Sequence, residues 1–279
     1  MKQCVPPNDF STALLGLTKA PMFIDVPGAK LFAIRSGPAQ GTVILAIGGW
    51  IGSSELWQAP LAALSDSHVT LTYDHRGTGI SMCDPVSITF ENLVADALAV
   101  LNAYGVRRCA VAAESAGAQT ALALAARFPN TVSHLVVVDG MYSRGIAPES
   151  DPFLQGLHSA YSATIERFVQ LCIPETNSEH IKAWGRKIVA RADANAAIAL
   201  RMVGSITDIT AELVRVTQPT LLIHGDLDKI VPLTSSQALA AALPNAELQV
   251  LEGCGHVPTL TEPYKVADLI RTFLRRNGA

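Results

Sequence analysis

The sequence has few charged residues, no closely spaced cysteine pairs and no long apolar run, and each of these shortages excludes a class of protein. Charged residues make up 16% of the 279 residues and the formal net charge is -3, so nothing indicates a nucleic-acid partner. The five cysteines are scattered and form no Cys-x-x-Cys pair, which argues against a disulfide framework and against a zinc site. No stretch of about 18 apolar residues is present, so we expect no membrane span.

The amino-terminal residues also lack the pattern of a secretion signal. A lysine, two prolines and an acidic residue precede a short apolar patch at residues 13–17, which is too short and too polar for a signal peptide. Together with the scattered cysteines, this predicts a protein of the reducing cytoplasm.

The sequence does show a regular alternation of strand-like and helix-like segments. A β-hairpin is expected at residues 22–26 and 31–35, because a Pro-Gly turn signal separates two strand-like runs. Helix-like segments separate most of the later apolar runs of strand length, which lie at residues 42–47, 69–73, 109–113, 135–138, 220–224 and 248–251. This alternation predicts an α/β fold, in which a mostly parallel sheet is flanked by helices.

One long interval interrupts the alternation. Residues 141–215 carry no strong strand signal but several helical stretches, of which the first is expected at residues 156–171. We therefore divide the chain into an α/β core, residues 1–140 and 216–279, and a helical cap, residues 141–215. Because ligands bind beyond the carboxyl ends of parallel strands, we expect the cap to cover the binding site.

A serine lies where one strand turns directly into a helix. The apolar run at residues 109–113 leads without a linker into an alanine- and leucine-rich segment at residues 116–128, and Ser115 lies between them. Such a turn strains the backbone of the serine, exposes its hydroxyl and directs the helix N-terminus at whatever the hydroxyl attacks. A serine there can also simply cap a helix, so a nucleophile is predicted only if a base and an acid accompany it.

Candidates for the base and the acid follow the serine in the chain. His256 lies in a glycine-rich turn after the last strand, where a loop can place an imidazole over the strand ends. For the acid that orients this imidazole, Asp228 is our first choice, Asp226 the second and Asp139 a further alternative. The aspartate pair with His224 and His256 could also suggest a metal site, but the spacing matches no metal-binding motif.

Backbone N–H groups on both sides of the serine are expected to bind a developing oxyanion. One is the N–H of Ala116, at the start of the helix. The other is expected in the loop after the strand at residues 42–47, where Gly48 and Gly49 allow a close backbone approach. The N–H of Trp50 fits this second role best.

With these residues in place, the sequence resembles the α/β-hydrolase superfamily, and within it the cap-bearing esterases, lactonases, thioesterases and haloperoxidases. The resemblance begins at about residue 22 and rests on five motifs in order, namely Gly-Gly-Trp at 48–50, Tyr-Asp-His-Arg-Gly-Thr-Gly at 73–79, the serine turn, Gly-x-x-Asp at 225–228 and Gly-His at 255–256. It implies no metal and no organic cofactor. It also implies a role for each of five residues: nucleophile Ser115, acid Asp228, base His256, and oxyanion donors Trp50 and Ala116.

Two positions depart from the pattern of the family. Ala113 replaces the first glycine of the serine turn, where a small residue still fits. Gly48 replaces a histidine that commonly precedes the oxyanion glycine, so we expect the loop to be freer. The nucleophile is a serine and not an aspartate, which argues against the dehalogenase and epoxide-hydrolase branches.

The expected function is that of a serine hydrolase that cleaves a small or medium carboxylic ester, or a lactone or thioester, through an acyl-enzyme. A haloperoxidase or perhydrolase, a C–C bond hydrolase and an acyltransferase would use the same triad, and a ligand sensor without catalysis could keep the same fold. We expect a small-molecule substrate and a monomer or homodimer. An apolar roof over the substrate, or alternatively helix packing, is the expected role of Phe153, Leu157, Tyr161, Trp184 and Met202.

Overall fold

The computed structural model of the protein describes residues 21–142 and 147–279, so the amino-terminal patch at residues 13–17 lies outside the described residues. Within them, nine strands form one sheet. These strands are β1 (Met22–Val26), β2 (Ala29–Ser36), β3 (Val43–Ile47), β4 (Val69–Asp74), β5 (Met82–Cys83), β6 (Cys109–Glu114), β7 (Val132–Val138), β8 (Thr220–Gly225) and β9 (Ala246–Leu251).

The order of the strands is β1-β2-β4-β3-β6-β7-β8-β9, and β5 pairs with β2. Strand β2 pairs antiparallel with β1, β4 and β5, whereas the pairs from β4 to β9 are parallel. The α/β fold with a mostly parallel sheet, predicted from the alternation, is confirmed. The described helices are α1 (Gln58–Leu64), α2 (Phe90–Ala103), α3 (Gly117–Arg127), α4 (Pro152–Ser159), α5 (Tyr161–Cys172), α6 (Glu179–Val189), α7 (Ala194–Ile206), α8 (Leu233–Ala242), α9 (Pro258–Thr261) and α10 (Pro263–Arg276).

Both faces of the sheet are buried, which explains why its central strands read as continuous apolar runs. Successive side chains of β3 point to opposite faces. Ile44 and Ala46 pack with α1 and α10 on one face, whereas Leu45 and Ile47 pack with α2, α3 and α8 on the other. The carboxyl ends of the parallel strands therefore lie side by side along one edge, where the candidate residues follow β3, β6 and β8.

Four helices, α4 to α7, lie between β7 and β8, and we call residues 147–215 the helical insertion. The prediction of a single helix at residues 156–171 is wrong, because the helical structure is interrupted at Ala160, which separates α4 from α5. The two helices pack closely where Gly156 faces Thr164, since a Cβ at Gly156 would lie 2.6 Å from Oγ1 of Thr164. Apolar residues of the insertion pack against core residues that include Ile51 and Val257.

Across residues 21–142 and 147–279, none of the helices combines the length and the apolar character that a bilayer span requires.

Candidate active site

Ser115 occupies the sharp turn between β6 and α3. Its φ of +52° lies in the left-handed region, which is unfavourable for a residue with a side chain. The turn leaves no space for larger neighbours, because a Cβ at Gly117 would lie 2.5 Å from the carbonyl oxygen of Gly48. The strain and the close packing together hold the hydroxyl at the carboxyl edge of the sheet.

Ser115, His256 and Asp228 come together at this edge. Nε2 of His256 lies 2.9 Å from Oγ of Ser115, and Nδ1 of His256 lies 2.8 Å from Oδ2 of Asp228. Because Nδ1–H donates to the carboxylate, Nε2 is the atom that can accept the serine proton. All three side chains are almost fully buried. The imidazole can therefore take a proton from the hydroxyl while the carboxylate stabilises its charged form.

The surroundings of Asp228 keep this side chain ionised. Its Oδ1 accepts hydrogen bonds from the backbone N–H groups of Ile230 at 2.7 Å and Val231 at 3.0 Å. Burial alone raises the pKa of Asp228, but the charge and hydrogen bond of His256, together with these two N–H groups, lower it below its ordinary value. Asp228 is thus ionised and can accept the hydrogen bond from Nδ1–H of His256.

The two alternative acids make other contacts. Asp226 has an exposed side chain and accepts a hydrogen bond of 2.7 Å from the N–H of Gly253. Asp139 is buried beside Asp228 and accepts a hydrogen bond of 2.9 Å from the N–H of Gly225. Burial, and then the charge of Asp228, raise the pKa of Asp139 well above its ordinary value. The geometry therefore favours Asp228 as the partner of the imidazole.

Asp139, His224 and Asp228 bring three potential metal ligands within 4.8 Å of one another. The ring nitrogens of His224 are already engaged, because Nε2 lies 3.0 Å from the carbonyl oxygen of Val231 and Nδ1 lies 2.7 Å from Oγ of Ser236. The oxygens of Asp228 are also engaged. This donor set fits a hydrogen-bond network around Asp228 better than a metal site.

The loop at residues 48–53, which we call the β3 loop, approaches the serine closely. A Cβ at Gly49 would lie 3.1 Å from Cβ of Ser115, so only a residue without a side chain fits there comfortably. Within the described residues, the backbone N–H groups of Trp50 and Ala116 donate no hydrogen bond. Both donors are therefore available to an incoming oxygen atom.

Trp50 is held on two sides, which differs from the expectation of a freer loop. Nε2–H of His75, in the segment after β4, donates to the carbonyl oxygen of Trp50 at 3.0 Å. The indole Nε1–H of Trp50 donates to the carbonyl oxygen of Ala197 in α7 at 2.8 Å. Burial lowers the pKa of His75 despite the opposing hydrogen bond and nearby acids, so the ring is neutral. An imidazole thus contacts the β3 loop from His75, although Gly48, at the position where a histidine is common in the family, has no side chain.

The helical insertion also holds the loop that carries His256. The N–H of His256 donates to the carbonyl oxygen of Cys172, at the end of α5, at 2.9 Å. The N–H of Gly255 donates to Oε1 of Glu175 at 2.7 Å. Residues of the insertion therefore contact the segments on both sides of the serine.

Glu114 is a residue of the site that the sequence analysis did not consider. It ends β6 and is buried, and its Oε2 accepts a hydrogen bond of 2.8 Å from Oγ1 of Thr259. Burial raises the pKa of Glu114 to about 7, although the bond from Thr259 and the charge of His256 oppose this rise. The available signal was a charged residue at the end of an otherwise apolar strand.

A cavity of about 50 Å³ adjoins Ser115 and His256, with a mostly apolar lining. Of the two roles considered for the five apolar residues of residues 141–215, a roof over this cavity is not observed, since none of them is among its described lining residues. Phe153 instead packs on Trp50, with ring centroids 5.0 Å apart, and Trp184 is 38% exposed. Helices α5 and α6 supply lining residues that were missed, including Phe168, Val169, Cys172, Gly185, Ile188 and Val189.

Comparison with known proteins agrees with this architecture. The protein named "Putative carbamate hydrolase RutD" from Caulobacter vibrioides is 30% identical over 262 residues, which span 87% of this chain and 94% of that protein. A hydrolase from Pseudomonas aeruginosa has a similar structure, with a TM-score of 0.85, 24% identity and coverage of 94% of this chain and 100% of that one.

An esterase from Exiguobacterium antarcticum is equally similar in fold, with a TM-score of 0.85, 18% identity and coverage of 92% of this chain and 100% of that one. The sequence model described as "Alpha/beta hydrolase family" matches residues 43–269, which include every strand of the sheet from β3 onward. The chain therefore belongs to the α/β-hydrolase family.

Proposed function

We propose that this hydrolase cleaves a small or medium carboxylic ester through an acyl-enzyme on Ser115. The observation that carries the proposal is the position of His256, whose ring nitrogens lie 2.9 Å from Oγ of Ser115 and 2.8 Å from Oδ2 of Asp228. A serine, an imidazole and a buried carboxylate in this geometry are the parts that nucleophilic acyl transfer requires.

In the first half of the reaction, Oγ of Ser115 attacks the ester carbonyl and His256 takes its proton at Nε2. The N–H groups of Trp50 and Ala116 bind the oxyanion that forms on the carbonyl oxygen. The C–O bond to the alcohol then breaks, and His256 returns its proton to the leaving oxygen. In the second half, His256 activates a water that attacks the acyl-enzyme, and the acid and the free serine are released.

We further propose that residues 141–215 act as a cap domain on a core of residues 1–140 and 216–279. The hydrogen bonds from Trp50 to Ala197 and from His256 to Cys172 support a direct role of the cap in forming the site.

A carbamate is the second candidate substrate, favoured by the name of the relative from Caulobacter vibrioides. A neutral carbamate ester offers the same carbonyl to Ser115. A free carbamate is an anion, and none of the described residues that line the cavity is a lysine or an arginine. The ionisable side chains among the lining residues are Glu114, Cys172 and His256, and none of them supplies a permanent positive charge, so we rank neutral esters first.

The experiment that tests the proposal is labelling with a fluorophosphonate probe, which reacts covalently with activated serines. We expect the purified protein to be labelled and the Ser115→Ala variant to remain unlabelled. Equal labelling of both proteins, or none of either, contradicts the proposal and leaves a ligand sensor as the better reading.

Assays with p-nitrophenyl esters, lactones, thioesters and carbamate esters then rank the substrates. Bromination or peracid formation without ester cleavage would favour the haloperoxidase reading. Cleavage of a carbon–carbon bond would favour the C–C bond hydrolase reading, and acyl transfer to an alcohol the acyltransferase reading. Each of these results would overturn the ester assignment while keeping Ser115 as the nucleophile.

A further inference from the structure

The cavity beside Ser115 ends against α5 and α6, and its size limits what it can hold. Its volume is about 50 Å³. A cavity of about 150 Å³ holds one benzene molecule, so by proportion this one holds roughly two carbon atoms. Val169, Ile188 and Val189, which line it, are all buried, so the walls are closely packed.

Gly185 lies in the interior of α6, is buried and lines this cavity. A glycine in a helix interior is less favourable than an alanine, so its presence needs a reason. Close packing is not the reason, because a Cβ at Gly185 would lie 3.5 Å from Cδ1 of Ile173 and 3.7 Å from Cγ1 of Val169. These are ordinary van der Waals distances. By contrast, the glycine of α4 is required, since a Cβ at Gly156 would lie 2.6 Å from Oγ1 of Thr164.

We propose that Gly185 keeps space open for the acyl group of the substrate, and that the preferred substrates are esters of short, unbranched acids such as acetate and propionate. The proposal rests on the acyl-enzyme function proposed above. The acyl group stays attached to Ser115 while the alcohol leaves and water enters. A mostly apolar cavity that Ser115 itself lines suits the part of the substrate that stays.

The test compares p-nitrophenyl acetate, propionate, butyrate, hexanoate and octanoate as substrates of the unmodified enzyme, Gly185→Ala, Val189→Ala and Gly204→Ala. Gly204→Ala is the matched control. Gly204 is also a glycine in a helix, α7, and its added Cβ would meet nothing closer than 3.9 Å. It does not line this cavity but a separate one of about 30 Å³ beside Trp50 and Ala116, so a profile that changes in Gly204→Ala and not in Gly185→Ala would place the acyl group there and contradict the proposal.

For the unmodified enzyme we expect kcat/KM to be highest for acetate and propionate. One methylene in an apolar pocket changes kcat/KM by about 10-fold or more, so Gly185→Ala should lower the propionate-to-acetate ratio by roughly 10-fold. Because alanine favours the helix, the same variant should also have a higher Tm. Val189→Ala should shift the preference towards longer acids. Gly204→Ala should raise Tm and leave the chain-length profile unchanged.

The selectivity shift of Val189→Ala keeps the test informative even if Gly185→Ala folds poorly, since a damaged protein does not gain activity on a longer ester. Chain-length profiles that are unchanged in both variants overturn the inference, as does a preference of the unmodified enzyme for octanoate. A series with varied alcohols and constant acetate provides the second check. If Gly185→Ala discriminates among the alcohols instead of the acids, the acyl assignment is wrong.

An error in the proposed function can be distinguished from an error in this inference. If no ester is cleaved and the fluorophosphonate does not label Ser115, both the proposed function and the inference are wrong. If Ser115 is labelled and esters are cleaved, but the variants keep the profile of the unmodified enzyme, the inference alone is wrong.

Discussion

Thr259 donates a hydrogen bond of 2.8 Å from Oγ1 to Oε2 of Glu114. The bond joins the residue directly before Ser115 to α9, which begins two residues after His256, although the two partners are 145 residues apart in the chain. Ser115 and His256, the proposed nucleophile and base, are therefore linked through a second pair of side chains, in addition to their own contact. Because Glu114 is buried, this link depends on pH.

The first prediction concerns Glu114 and stability. Burial raises the pKa of Glu114 to about 7 in the folded state, from an ordinary value of 4.5. The folded state thus holds this proton more tightly than the unfolded chain, so the stabilisation is complete below pH 4.5 and is lost as pH rises through about 7.

Glu114→Gln cannot ionise and keeps an oxygen for Thr259. Relative to the unmodified protein, its free energy of unfolding should improve by roughly 2–3 kcal/mol between about pH 5 and about pH 8. Urea unfolding of both proteins at the two pH values measures this difference. A constant difference between the two proteins would show that Glu114 does not titrate in this range.

The second prediction separates the candidate acids. Asp228→Asn removes the carboxylate that orients His256, so kcat for an active ester should fall by about 10³- to 10⁴-fold. Asp226→Asn changes an exposed side chain and should stay within about 2-fold of the unmodified enzyme. Asp139→Asn is the buried control and should retain most of the activity. A larger loss in Asp226→Asn than in Asp228→Asn would overturn the assignment of the acid.

The third prediction concerns His75, which contacts the carbonyl oxygen and not the N–H of Trp50. His75→Phe removes the donor but keeps a ring, so the β3 loop loses one anchor. A lost hydrogen bond is worth about 1–1.5 kcal/mol, so we expect kcat to fall roughly 10-fold with little change in KM.

His134→Phe is the control for this variant, because His134 is also a buried histidine with a ring nitrogen near a carbonyl oxygen, that of Asn277. Steady-state kinetics of the two variants should differ in kcat. Equal values would mean that His75 has only a structural role.

The fourth prediction concerns a buried ion pair. Arg76 donates to both oxygens of Asp96, from Nη2 at 2.6 Å and from Nε at 2.7 Å, and both side chains are almost fully buried. Arg76→Met leaves the carboxylate buried without its partner, which costs about 3–5 kcal/mol of stability.

The exposed pair of Lys30 and Asp25 provides the contrast. Their side chains are 43% and 81% exposed, so Lys30→Met should cost less than about 1 kcal/mol. Urea unfolding measures the loss of unfolding free energy in each variant. Similar losses in the two variants would contradict the prediction that the buried ion pair matters more than the exposed one.

The order of the elements could be predicted because it depends on local patterns. Apolar runs such as Ile44 to Ile47 have no polar face for solvent, so they are stable as strands that are buried on both faces. The turn at Ser115 could be recognised because its steric demands fall on neighbouring residues such as Gly117.

Contacts between distant segments could not be predicted in the same way. His75 reaches the carbonyl oxygen of Trp50, and Cys172 accepts the N–H of His256, only because the sheet and the helical insertion bring them together. No periodic pattern in the sequence predicts such contacts between distant segments. The interruption at Ala160 was missed for a similar reason, since the packing of α4 on α5, where Gly156 faces Thr164, is visible only in three dimensions.

The hydrogen bond from the indole of Trp50 to Ala197 has a consequence for attempts to redesign this enzyme. Exchanging the helical insertion for that of a relative is an obvious way to graft a new substrate range onto the core. In this protein such a chimera would also have a new contact in place of the one that holds Trp50, and so a new alignment of the proposed oxyanion donors. Substrate range and turnover rate would therefore change together, unless the graft preserves a backbone acceptor at the position of Ala197.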